Sequence, residues 1–170
     1  MGNLATPEFL IARWGELCRD PSLEDLPYKI ELNAWGKIEM SPASNRHGRL
    51  QGELLFQLGQ QLPGGCVIAE CSLFTTLGIR VADAVWASAE FMQAFGEITP
   101  YMRAPEICVE IRSRSNPEGE MEEKTAAYLQ AGALEVWIVA EDGSIRYFTA
   151  SGEQAKSGFP VEISLPPPIK

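Results

Sequence analysis

The chain reads as an α/β domain in which a mixed central sheet is flanked by helices and introduced by an N-terminal helix and a β-hairpin. Three observations predict it. The segments run in the order α-β-β-α-β-β-α-β-α-β-β, which mixes hairpins with crossover helices. Apolar residues switch repeatedly between helical spacing and strict alternation. The chain has 170 residues, 45% of them hydrophobic, which suits one domain, 1–170, with a sizeable core.

The elements follow in order. Phe9, Leu10, Trp14 and Leu17 recur near helical spacing from Thr6 to about Cys18. Thr6 suits the N-cap, Pro7 the first helical position, and Asp20-Pro21-Ser22 ends the helix. Tyr28–Leu32 and Lys37–Met40 alternate around Asn33-Ala34-Trp35-Gly36, a hairpin with a four-residue loop. Ser44 or Asn45 caps a second helix to about Leu62, with Leu50, Leu54, Leu55 and Leu58 on one face and Pro63-Gly64-Gly65 as its stop.

Strands are expected at about Cys66–Glu70, Phe74–Leu77 and Ile79–Trp86, then a short helix capped by Ser88 and closed by Gly96. The strand Glu106–Ile111 leads through the polar loop Ser113-Arg114-Ser115-Asn116 into a helix from about Pro117 to Gly132. Val136–Ala140 and Ile145–Thr149 pair around the turn at Asp142-Gly143, and one more short strand is expected around Val161–Ile163 before Pro166-Pro167-Pro168. No internal repeat or low-complexity tract interrupts this order.

Composition excludes several classes. The apolar runs fall far short of the roughly 20 residues a bilayer requires, and no signal-peptide pattern opens the chain, so a soluble cytoplasmic protein without membrane contact is expected. Cys18, Cys66, Cys71 and Cys108 form no C-x-x-C pair and His47 is the sole histidine, which leaves a Cys/His zinc site short of ligands and the cysteines reduced. Met1–Thr6 formally matches a myristoylation pattern, but the same residues make an ordinary helix start. The net charge of −9 argues against nonspecific nucleic-acid binding through a basic surface.

Two acidic residues interrupt apolar strands: Asp83 within Ile79–Trp86, and Glu110 within Glu106–Ile111. A buried carboxylate costs several kcal/mol unless paired, so two in neighbouring core strands point to a shared metal or cation. Hard oxygen ligands suit Mg²⁺ or Mn²⁺, which is commonly held by one or two protein carboxylates. Glu110 and Arg112, two apart, share a strand face. Lys124 lies 14 residues after Glu110 in the following helix, positioned to lean over the strand's C-terminal end. Plain structural roles stand beside these: Glu110 paired with Arg112 or Arg80, Asp83 capping a strand end, and Glu120 with Lys124 as a helix-surface ion pair. His47, beside Arg46 and Arg49 at a helix start, suits either phosphate contact or a capping role, and Trp35, Trp86 and Trp137 suit packing.

Taken together, Tyr28–Leu32, Gly36–Pro42, His47-Gly48-Arg49, Val81–Trp86, Ala104–Ile111, Lys124–Tyr128 with Gly132, and Val136–Val139 resemble a widespread bacterial family. It is the family described as "putative restriction endonuclease", within the PD-(D/E)XK nuclease superfamily and long labelled a domain of unknown function. The resemblance spans about residues 6–150. It implies a restriction-endonuclease-like fold, a Mg²⁺ (or Mn²⁺) cofactor, DNA as substrate, Asp83 and Glu110 as metal ligands, Lys124 as the working lysine, and Glu31 and His47 near the site. The sequence departs from the family pattern at Ala82-Asp83, where Pro-Asp is usual, and at Arg112, where an apolar residue is common.

The expectation is therefore a metal-dependent endonuclease hydrolysing DNA phosphodiester bonds, working as a homodimer because two-fold symmetry matches a duplex. The alternative is a catalytically inactive nuclease-fold dimer acting as a binding or regulatory module. A glycosidase-like carboxylate pair is a third reading, and it needs an open sugar cleft.

Overall fold

Helix α1, Pro7–Leu17, starts where its chemistry predicts: the Thr6 hydroxyl accepts a hydrogen bond from the Phe9 N–H, and Pro7 fills the first turn. The computed structural model describes residues 4–113 and 116–169, with the side chain of Glu118 outside that description. The Gly2 pattern and the centre of the 113–116 loop lie outside the described residues.

The remaining elements are β1 (Tyr28–Asn33), β2 (Ile38–Pro42), α2 (Asn45–Gln61), β3 (Gly65–Thr75), β4 (Gly78–Ser88), α3 (Ala89–Phe95), β5 (Ile107–Ile111), α4 (Glu118–Gln130), β6 (Glu135–Val139), β7 (Ile145–Thr149) and β8 (Gly152–Gln154). Among the described residues eight strands form one mixed sheet in the order β2-β1-β4-β5-β6-β7-β8, with β3 also paired to β4. Of these strands only β5 and β6 pair in parallel, joined by the crossover helix α4.

Two expectations change. The segments expected as separate strands at Cys66–Glu70 and Phe74–Leu77 are one long strand, β3, because pairing with β4 continues on both sides of Glu70. No strand forms at Val161–Ile163. That extended segment is held by side chains of α2 instead: Gln61 bonds both the N–H and the C=O of Glu162, and Gln57 does the same for Ser164. Trp86 and Trp137 are buried as expected, whereas Trp35 is exposed on the hairpin loop.

The sheet separates the core into layers. On one face Leu50, Leu54 and Leu58 of α2 pack on Trp86, Ile107, Val109 and Trp137. On the other, α3 and α4 supply Phe91, Met121 and Tyr128 against Val85, Cys108, Val136 and Ile138. Leu10, Trp14 and Leu17 of α1 cover Leu32, Ile79 and Val81.

Strand β4 has three neighbours, and this positions the site. One edge carries β3 along nearly its whole length. The other carries β1 at Gly78 and Ile79 and β5 at Ala84–Trp86. Between them, Arg80–Asp83 has no strand partner on that edge, so β1 and β5 diverge and leave a fork.

Candidate metal and catalytic site

Polar side chains fill the fork. Pairing of β4 with β5 stops at Ala84 and Val109, and the next residues, Asp83 and Glu110, lie buried at the point of divergence. Asp83 Oδ2 accepts the Ile111 N–H at 2.6 Å, so the carboxylate itself closes the end of this pairing. Glu31 does the same towards β1, accepting the Val81 N–H at 2.8 Å where a strand bond is missing. The strand-end role considered for Asp83 is thus present, and one carboxylate oxygen remains for the cavity.

That oxygen meets a residue absent from the sequence-derived set. Lys29 Nζ lies 2.8 Å from Asp83 Oδ1 and 3.2 Å from Glu110 Oε2, joining both carboxylates through one ammonium. Lys29 sits two positions before Glu31 on β1, so the two share a face while Ile30 and Leu32 pack towards α1. That period-two relation was available in the sequence.

Lys124 is buried rather than displayed on the helix surface. Its Nζ lies 3.2 Å from both Glu31 carboxylate oxygens and 3.4 Å from Glu110 Oε2. Glu120, the expected surface partner, accepts from Asn116 instead. One helical turn beyond Lys124, the Tyr128 hydroxyl donates to Glu110 Oε1. The spacing of four brings both side chains to one strand residue. Arg112 does not take that place: it helps line a separate, largely apolar cavity with Met121, Thr125, Ile138 and Phe148. Among the described residues, the cations on Glu110 are Lys29 and Lys124, and Arg80 pairs with Glu31 and Glu39.

His47 enters from α2. Its N–H is capped by Ser44 Oγ, and its imidazole Nε2 lies 3.4 Å from Asp83 Oδ1. Arg46 is turned away to the carbonyls of Glu141 and Pro166, so it anchors the C-terminal segment instead of lining the helix start for phosphate. Glu70 joins from β3: ligand atoms of His47, Glu70 and Asp83 lie within 4.8 Å of one another and form a cluster that could hold a metal ion. Gln51 links two of its members, donating to Glu70 Oε1 and to the Asp83 carbonyl. Glu70, at the end of the run Cys66–Glu70, carries no motif in the sequence that marks it for the site.

Electrostatics follow from burial and pairing. Burial alone raises the Asp83 pKa, but Lys29 and His47 outweigh it and hold the carboxyl well below its usual range. Burial dominates at Glu110 and raises its pKa, although Lys29 and Lys124 pull the other way. Lys29 is shifted down by burial but lifted further by Glu110, Asp83 and Glu31, so it is charged at neutral pH. The hydrogen bond to Asp83 raises His47 above its ordinary value. The groups surround a cavity of about 860 Å³ that Lys29, Glu31, His47, Asp83, Glu110 and Lys124 help line.

The profile of the Uma2 family, described as "Putative restriction endonuclease", matches residues 16–169. The chain belongs to this family. A solved structure from Anabaena variabilis, described as "a putative nuclease belonging to DUF820", is similar over 88% of each chain, with a TM-score of 0.63 and 17% identity. At that identity the likeness shows the fold, a mixed α/β architecture with an N-terminal helix and hairpin. Among curated proteins, none matches. No helix among the described residues is long and apolar enough to cross a membrane.

Proposed function

We propose that this Uma2-family chain is a divalent-metal-dependent endonuclease that hydrolyses DNA phosphodiester bonds. The observation that carries the reading is the convergence of Asp83 and Glu110, from adjacent strands, on one cationic position beside Lys124. The donor set fits a hard divalent ion: Asp83 and Glu110 would hold it, with Glu70 close to Asp83 as a further carboxylate. Bound there, Mg²⁺ or Mn²⁺ would supply Lewis-acid stabilisation of the charge that develops on phosphate oxygens.

The chain's own residues do the rest. Lys124, fixed between Glu31 and Glu110, presents an ammonium that orients the attacking water by hydrogen bonding. Glu31 holds that ammonium in place while bonding the Val81 N–H. Tyr128 fixes the Glu110 carboxylate from the α4 side. His47, with its pKa raised, donates a proton or a hydrogen bond beside Asp83. A homodimer would present two such sites to the two strands of a duplex, and sedimentation equilibrium reads that state directly.

One observation favours the inactive binding or regulatory module: Lys29 already bridges both carboxylates. Incubation of supercoiled DNA with purified protein and Mg²⁺ or Mn²⁺ separates the readings. Nicking or linearisation that disappears in Asp83→Ala and Glu110→Ala supports the nuclease; cleavage unaffected by both substitutions sinks it.

A further inference from the structure

The ammonium of Lys29 stands where the carboxylates Asp83 and Glu110 converge, and its only hydrogen-bond partners among the described residues are those two carboxylates. Lys124 differs: besides Glu110 it is held by both oxygens of Glu31, so it keeps its anchor if Glu110 turns to another cation. Lys29 is also the more accessible of the two, with 12% of its side chain exposed against 7%. Asp83, Glu110, Glu31 and Glu39 face Lys29, Lys124 and Arg80, with Glu70 and His47 beside Asp83. A divalent ion bound beside Lys29 places two cations on one carboxylate pair in a low-dielectric site, which is strongly repulsive at such range.

We propose that Lys29 is an exchangeable internal counter-ion: it holds Asp83 and Glu110 together without metal, and its ammonium must withdraw from between them when a divalent ion binds. Lys29 is therefore a positioning residue that keeps the pair assembled and weakens metal affinity by competing for it. This rests on the metal-site reading above. The flexible four-carbon stem and the cavity that residues of β1 and β2 help line give the ammonium somewhere to go.

The test is calorimetric titration of MnCl2 into wild type, Lys29→Met and Lys29→Gln, with thermal unfolding of each in chelator and in saturating Mn²⁺. The expected result is at least tenfold tighter Mn²⁺ binding in a folded Lys29 variant, together with a lower unfolding temperature without metal that Mn²⁺ restores. Lys29→Gln keeps a hydrogen-bond donor and serves where Lys29→Met does not fold. If wild type binds Mn²⁺ and the folded variant binds it equally or more weakly, the exchange is overturned and the nuclease reading survives. If neither binds, the metal site and the exchange fall together. A lysine with a purely structural role lowers stability without tightening metal binding.

Discussion

Glu70 lies directly across the β3–β4 ladder from Asp83, between the pairs Ala69–Ala84 and Cys71–Ala82, and it alone among the described non-glycine residues has a positive φ, +51°. Left-handed backbone costs a residue with a Cβ about 1–2 kcal/mol, and such strain collects at functional sites. Here it coincides with the carboxylate joining His47 and Asp83. Glu70→Gly should leave stability in urea unchanged or raise it by up to about 1 kcal/mol while weakening Mn²⁺ binding. A loss of stability with unchanged Mn²⁺ affinity would show the conformation to be a folding feature alone.

His47 is the only histidine, so its titration can be followed by proton NMR without assignment. Its pKa should lie above the ordinary 6.5, because Asp83 favours the imidazolium. Since the folded value is raised, its stabilising contribution is full below the unfolded value and fades as pH rises through the folded one. In Asp83→Asn the midpoint should drop. A midpoint that does not move would detach His47 from Asp83.

Tyr128→Phe removes the hydroxyl that satisfies Glu110 Oε1 while preserving the packing of a fully buried ring. The loss of a bond to a buried carboxylate should cost about 1.5–3 kcal/mol in denaturant unfolding. A cost near zero would mean that the two lysines alone satisfy Glu110.

The C-terminal segment should be released by α2, not by the sheet. Gln57→Ala and Gln61→Ala each remove two hydrogen bonds to its backbone, and each should cost about 1 kcal/mol and speed amide exchange around residues 161–165. The cysteines give an independent check on burial. Burial pushes Cys71 up to about 12, and Cys108 is raised as well, so both should resist thiol reagents in the native protein while exposed Cys18 reacts first.

Much of this architecture was legible from spacing and caps. Thr6, Ser44 and Ser88 each cap the helix they were expected to begin, because a hydroxyl before an apolar periodic run has few other uses. The uninterrupted apolar character around Asp83 and Glu110 marked them as buried, and the structure places them side by side in the fork. Lys29 shares a face with Glu31, but a charged residue near a strand start reads equally well as solvated. A strand pattern contains no sign of a left-handed residue such as Glu70. Alternating Val161 and Ile163 look alike whether a strand or two glutamines supply the hydrogen bonds.

The most direct test is a crystal structure of the protein soaked in Mn²⁺, read by anomalous scattering. The account predicts a peak between the Asp83 and Glu110 carboxylates with Lys29 Nζ withdrawn and Lys124 still on Glu31. A peak held by His47, Glu70 and Asp83 without Glu110, or no peak with Lys29 unmoved, would contradict it.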